Sequence, residues 1–311
     1  MGFKEQVSQR HLLFFSYYQF IFPMVAYLCT MITTKVIQPA PLLRPYVHHY
    51  WIIQANQESM FPIIMPTGCF KWIIHRKRPF WVQEETNFSA KASVSGPYEK
   101  AIHLSTEEEL EMIMVIFYPY AFHLLTEIPG RLFTNNNVDF EDLDSRGFKT
   151  LKSQVLESES SDAAIARIES FLLRQLAQAK MSPYQQPLAK VFQSIGQQPI
   201  LRIEALADMA CLSERQFRRV FIEHVGLSPK QLLRIQRFHQ IANRLISMPV
   251  SSFDSLINHF GFTDHSHFYR EFQQFSGMSP TDFLHYLQAI QTPELFSAYR
   301  SYHDPRAVQE V

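Results

Sequence analysis

Glycine is scarce in this chain: there are 9 in 311 residues, well below the ~7% typical of proteins. Neither a GxGxxG nor a GxxxxGK[ST] motif occurs, which excludes the usual glycine-rich cradles for nucleotide phosphates. Cysteine is scarcer still. Cys29, Cys69 and Cys211 are odd in number and far apart, giving neither a disulfide framework nor a CxxC metal site, so a reducing cytosol is the default setting. An excess of either charge is also missing. Lys plus Arg and Asp plus Glu both number 29, which excludes a polycation that coats nucleic acid by charge alone; DNA binding would need locally placed basic groups. What is present is 46% hydrophobic and 19% charged residues, the balance of a folded protein of about two domains at ~150 residues each.

From His11 to Thr34 there is no charged Lys, Arg, Asp or Glu. About 20 apolar residues can span a bilayer, but Ser16, Tyr17, Tyr18, Gln19 and Pro23 interrupt the run, and no small-residue cleavage site follows. Residues 1–34 are expected to be an apolar extension, with Met31 as an alternative natural start and domain sequence beginning near Lys35. A membrane-anchored protein is the competing expectation for this segment.

Residues 35–180 are expected to form a β-rich domain with a helical connector. Tyr46–Gln54, Phe61–Met65, Cys69–His75, Pro79–Gln83, Ser93–Leu104 and Leu110–Tyr118 are rich in aromatic and β-branched residues and bounded by turn formers, as strands of a small antiparallel barrel or sandwich would be. Helical spacing takes over later, with Ile165, Ile168, Leu172, Leu173 and Leu176 on one face. Ala179–Pro187 looks like a linker, residues 188–290 are helical throughout, and 291–311 form a tail. The fold class expected is therefore α+β: a β-rich, cupin-like front domain followed by an all-α back domain.

The back domain contains an internal repeat. Phe217-Arg-Arg-Val-Phe221 followed by Gly226-Leu-Ser-Pro229 recurs as Phe268-Tyr-Arg-Glu-Phe272 followed by Gly277-Met-Ser-Pro280, at a constant offset of 51. The same offset places Ser213 on Asp264, Leu206 on Ile257 and Ala210 on Gly261. Each copy reads as helix, tight turn, helix. Ser213 caps the second helix of the first copy and Gln216 completes a capping box. On that helix Phe217, Val220, Phe221 and His224 share one side, whereas Arg215, Arg218, Arg219 and Ile222 share the other, since successive residues advance by ~100°. In the second copy Asp264 is the cap, Phe268, Phe272 and Phe275 form the inner side, and Ser266, Arg270 and Gln273 the outer, with His267 and Gln274 at the margin. Two helix-turn-helix units of this kind would each offer a helix to a DNA major groove. Between them Ser228 caps, Pro229 takes the first helical position, and about twenty residues give a strut of ~30 Å, close to the ~34 Å between successive groove segments on one side of DNA.

The run Gly261-Phe-Thr-Asp-His-Ser-His-Phe-Tyr-Arg-Glu-Phe272 with Gly277-Met-Ser-Pro280 resembles the signature of the AraC/XylS family of bacterial transcription regulators, and the match covers roughly residues 196–288. That resemblance implies a cytoplasmic factor that binds double-stranded DNA and contacts RNA polymerase, needing no cofactor. It implies base or phosphate contacts from Arg215, Arg218 and Arg219, with Gln216 on the same helix, and from His265, Ser266, His267 and Arg270, with Gln273. Cys211 stands where many members have glycine, and Asn258 where a small residue is common. The front domain resembles the family's cupin-like sensors, and Phe117–Leu132 the segment joining barrel to helices in one subgroup. Modulation by a small-molecule effector and a homodimer are the corresponding expectations.

Arginine can bridge guanine O6 and N7, which lysine cannot. Across 196–290 there are nine basic and eight acidic side chains, so non-specific affinity is expected to be modest and the first unit the stronger anchor. A metal-dependent cupin-type enzyme would need a His-x-His pair on a front-domain strand, and residues 36–118 have none. His48 and His49, adjacent on a strand, should face opposite ways; His265 and His267, two apart on a helix, are also separated. DNA alkylation repair would need a cysteine cluster. Glu107–Glu109 and Glu111 are expected in a solvated turn, and Tyr50, Trp51, Phe70, Trp72, Phe80 and Trp81 mostly in the barrel core.

Overall fold

A computed structural model of the chain describes residues 32–289 apart from 56–58, 61–62, 83–86, 107, 144–146, 181, 198–201 and 248–252. Residues 1–31 and the tail 291–311, and with them most of the apolar extension and its membrane-anchored alternative, lie outside the described residues. Among the described residues no helix is long and apolar enough to cross a membrane.

The front of the chain builds two antiparallel sheets. Six strands, β1 (Ile32–Ile37), β2 (Val47–Ala55), β4 (Lys71–His75), β7 (Ala92–Ser95), β9 (Leu110–Phe117) and β10 (Asn137–Asp139), run in the order β1-β2-β9-β4-β7-β10. A smaller sheet orders β3 (Ser59–Met60), β8 (Leu104–Thr106), β5 (Trp81–Val82) and β6 (Asn87–Phe88) as β3-β8-β5-β6. The central strand β9 is buried along its whole length because both its faces are covered, as a near-continuous apolar run requires. Leu110, Met112, Met114 and Ile116 face a core shared with Phe80, Val82 and Leu104 of the small-sheet side. Ile113, Val115 and Phe117 face a second core built with helices α1 (Phe122–Thr126), α2 (Phe148–Leu156) and α3 (Ser161–Gln178). Trp72 sits at its centre, ringed by Phe117, Phe140, Phe148 and Phe171 at 5.0–5.8 Å between ring centroids.

The strands differ from expectation in instructive places. Ser93–Leu104 is two strands in different sheets, broken at Gly96-Pro97, where proline has no N–H for a ladder. β10 lies beyond the expected strands, and β1 already includes Ile32–Thr34. His48 and His49 do not diverge: the register shifts between Val47 and His49, and this bulge brings the two Nδ1 atoms to 2.6 Å, since an extra residue breaks the strict alternation of a strand. Glu111 is not in a solvated turn. It lies on β9 beneath the helices, paired with Arg76 at 2.7 Å and bonded by the Ser161 hydroxyl, while Glu108 meets Arg78 at 3.2 Å and Glu109 meets Lys77.

The back of the chain is helical: α4 (Gln185–Gln197), α5 (Ile203–Met209), α6 (Glu214–Val225), α7 (Pro229–Ser247), α8 (Asp254–His259), α9 (His265–Ser276) and α10 (Pro280–Ala289). They share one core around α7, which contributes Leu232, Ile235, Phe238, Ile241, Ala242 and Leu245. Front and back domains are in direct contact. Gly130 lies so close to α6 that an added methyl would stand 2.8 Å from the His224 carbonyl oxygen, and at Gly68 one would collide with Leu232 of α7. Thr134 donates to the Gly226 carbonyl at 2.5 Å, Arg131 pairs with Glu223 at 3.1 Å, and His239 of α7 reaches the Pro66 carbonyl at 2.6 Å. The Ile63 amide donates to the Tyr286 hydroxyl of α10 at 2.8 Å.

Four histidines of this framework are shielded from water, His49, His75 and His239 buried and His48 half-buried. Burial pushes His48 and His239 down to about 4, and His49 and His75 to about 3. All four stay neutral in the folded chain, whereas unfolding frees them to take up protons near pH 6.5. Stability is thus fully held above that pH and falls as the pH drops from about 6.5 towards 4. Urea unfolding should lose about 1 kcal/mol for each of these rings between pH 7.5 and 5.5; equal midpoints at the two pH values would contradict their burial.

Candidate nucleic-acid interface

The two helix pairs α5–α6 and α8–α9 are built by the same local chemistry. Ser213 accepts from the Gln216 amide while the Gln216 side chain closes back on the Ser213 backbone, so two exposed N–H groups of the helix end are satisfied. Asp264 caps α9 by accepting from the His267 amide at 2.7 Å. Both helices end on a left-handed glycine, Gly226 at φ 81° and Gly277 at φ 76°. Ser228 and Gln231 form a further reciprocal cap at the start of α7.

The turns reveal a slip in the repeat. Leu212 donates to the Ala207 carbonyl and Phe262 to the Ile257 carbonyl, and the left-handed residues are Cys211 at φ 54° and Gly261 at φ 69°. Cys211 therefore corresponds to Gly261, Leu206 to Leu256 and Ala210 to Phe260, an offset of 50 before the turn. Thr263 is the extra residue that restores 51 at the caps. The pairing of Leu206 with Ile257 and of Ala210 with Gly261 is corrected accordingly. Neighbouring apolar residues hide the one-residue slip, which the turn hydrogen bonds expose.

The expected faces of the second helices are in place. On α6, Phe217, Val220, Phe221 and His224 are buried, while Arg215, Gln216, Arg218 and Arg219 are exposed. Arg218 is held by Glu214 at 3.0 Å, and the Gln216 carbonyl oxygen is engaged in the cap. Neither Arg215 nor Arg219 has a hydrogen bond or ion pair among the described residues. On α9, His265, Ser266, Arg270 and Gln273 are exposed and His267 is half-buried. His265 is bound to Asp254 at 2.7 Å, and the Arg270 Nε donates to the Ser266 carbonyl at 3.2 Å. Asn258 is exposed on α8. Among the described residues no group of three or more His, Cys, Asp or Glu is placed to hold a metal ion.

Sequence reasoning missed the inward use of two arginines. Arg234 and Arg237, one turn apart on α7, both grip Glu271 of α9, which is 6% exposed. The i, i+3 spacing and the buried position of Glu271 between Phe268 and Phe272 were the available signals.

Residues 206–286 match the family described as Helix-turn-helix domain. The chain carries an AraC-type helix-turn-helix domain. It assigns the back of the chain to DNA binding in transcription regulation. Residues 35–139 match the family described as Domain of unknown function (DUF6597). No curated protein sequence matches the chain. Among solved structures, ToxT from Vibrio cholerae is 9% identical, with 84% of this chain and 100% of that one covered and a TM-score of 0.40. An unsaturated-fatty-acid-bound ToxT from Vibrio cholerae strain SCE256 is 8% identical, covering 81% of this chain and 94% of that one, with a TM-score of 0.35.

In the AraC-type domain Cys211 occupies the left-handed position that its counterpart fills with glycine. A side chain there costs about 1–2 kcal/mol, partly offset by the added freedom of an unfolded glycine. Cys211→Gly should raise unfolding stability by roughly 0.5–1 kcal/mol, read as an increased urea midpoint; a lowered midpoint would contradict the strain.

Proposed function

We propose that the chain is a sequence-specific transcription regulator that reads two consecutive major-groove segments of double-stranded DNA, one with α6 and one with α9. The observation carrying this reading is the pair of capped helices, one of which offers Arg215 and Arg219 exposed and uncommitted on a single face. Arg215, Gln216, Arg218 and Arg219 make the first set of contacts. His265, Ser266, His267, Arg270 and Gln273 make the second. The 19 residues of α7 measure ~28 Å at 1.5 Å each, compatible with holding the two helices one groove turn apart without requiring α7 to lie along the DNA axis.

Residues 188–290 are the DNA-binding part in this reading, and residues 35–180 a sensor and dimerisation part with its helical connector. The contacts of the front domain with α6, α7 and α10 support control of DNA reading by what the front domain binds, a small-molecule effector or a second copy of the chain. Contact with RNA polymerase completes the reading of a regulator.

Selection of bound genomic fragments by the full chain should return sites with two motifs about one helical turn apart. On such a site Arg215→Ala and Arg219→Ala should each cost about 1–3 kcal/mol of specific binding, seen as a roughly 5–150-fold weaker affinity by mobility shift. Arg218→Ala should cost less, because Glu214 already compensates its charge. Unaltered affinity of the Arg215 and Arg219 variants would remove α6 as a reading helix.

A further inference from the structure

The second helix pair is fastened to α7 differently from the first. At the position equivalent to Val220, which is buried among apolar groups on α6, α9 carries Glu271. Its carboxylate takes two guanidinium groups: Arg234 Nε at 2.8 Å on Oε2, and Arg237 on Oε1. Each guanidinium is itself positioned. Arg234 also donates to the Gln274 side chain at 2.8 Å and lies 5.3 Å over the Phe275 ring, while Arg237 lies 4.2 Å over Phe262 in the turn and reaches the Phe260 carbonyl at 3.4 Å. His267 stands 3.8 Å from Glu271 Oε2.

Every contact of the two arginines in this cluster joins α7 to the α8–α9 unit: to its turn, through Phe260 and Phe262, to the inner side of α9, through Glu271 and Phe275, and to its exposed margin, through Gln274. One guanidinium donor on each carboxylate oxygen adds a directional constraint that apolar packing lacks. Glu271 directly follows Arg270, so fixing its direction fixes the directions in which Arg270, ~100° round the helix, and Gln273, ~200° round it, emerge. We propose that Glu271, with Arg234 and Arg237, is the positioning element that sets the rotation and spacing of the second reading helix relative to the first. This rests on the two-motif reading above. It also removes two of the basic side chains of the back domain from any role at phosphates.

Glu271→Gln adds a unit of positive charge while slackening both arginines, so the proposal gives opposite signs for specific and non-specific binding. The probe is a 30-base-pair duplex selected by the wild-type chain from a random library, with derivatives in which either motif is scrambled or one base pair is inserted between them. Wild type should lose at least tenfold in affinity on scrambling the second motif and on insertion. Glu271→Gln should bind the intact duplex at least tenfold more weakly, should no longer distinguish the scrambled second motif or the insertion, and should bind fully scrambled DNA as tightly as wild type or more tightly. Arg237→Met, which keeps the bulk and loses the fork, should share the loss of discrimination, and the double variant should be no worse than the worse single variant. Undiminished discrimination by both single variants would overturn the positioning role, as would a parallel fall in scrambled-DNA affinity, which marks loss of the folded unit. A wild-type chain indifferent to the second motif while dependent on the first overturns the two-motif reading itself, and this inference with it.

Discussion

The burial of one helix, α7, from two sides is the constraint on which the rest of the molecule depends. Leu232, Ile235, Phe238, Ile241, Ala242 and Leu245 form the line on which both helix-turn-helix pairs pack. The same helix meets the front domain, where Leu232 presses on Gly68 and His239 reaches the Pro66 carbonyl. Protein interiors are close-packed and not freely deformable, so neither α6 nor α9 can shift on α7 without disturbing this shared core. Contacts from the front domain to α6 at Gly226 and to α10 at Tyr286 bracket α7 at both ends of the domain. A displacement of the front domain would therefore bear on both α6 and α9 through one body.

What was legible in the sequence follows the range of the interactions. Ser213 with Gln216, Asp264, and Ser228 before Pro229 act within three or four residues, so their caps could be read directly and occur as read. The long strands β2 and β9 announced themselves by apolar content, and the buried aromatic group followed, with Trp81 half-buried. Strands of two or three residues such as β3, β6 and β10 are too short to carry a period, and their existence depends on partners distant in sequence; β5 falls within the expected Pro79–Gln83 strand. The bulge at His48 was invisible for a related reason: alternation is a rule for regular strands, and only the pairing of β2 with β9 discloses the irregularity. At the site itself the outward face of α6 was readable from helical spacing. The partners of its neighbours were not, because Arg234, Arg237 and Glu271 are joined across 34 to 37 residues.

The even balance of charge acquires meaning once the partners are placed. Arg76 and Glu111 neutralise one another under the front-domain helices, and Lys77 and Arg78, after β4, pair with Glu109 and Glu108, before β9. In the back domain Arg234 and Arg237 turn inward and Arg218 is held by Glu214. A buried carboxylate is tolerated only when paired, so Glu271 consumes basic side chains that a count of composition would assign to the surface. Net charge thus overstates what α9 has available and understates the concentration of free positive charge on α6.

That asymmetry bears on how two similar units divide one task. On α6 the inner side is apolar and holds the helix without charged groups, which leaves Arg215 and Arg219 exposed on its outer side. On α9 the single outward arginine is turned by its Nε onto the Ser266 carbonyl and His265 is bound to Asp254, so direct electrostatic attraction is small. In the proposed reading, binding through α6 would scale with the phosphates neutralised and weaken with salt, whereas contacts from Ser266, Arg270 and Gln273 would depend on direction more than on charge. A helix that contributes mainly direction is of use only if its orientation is fixed beforehand. The carboxylate with two guanidinium partners is found on that helix, and the helix richer in free charge manages with Val220.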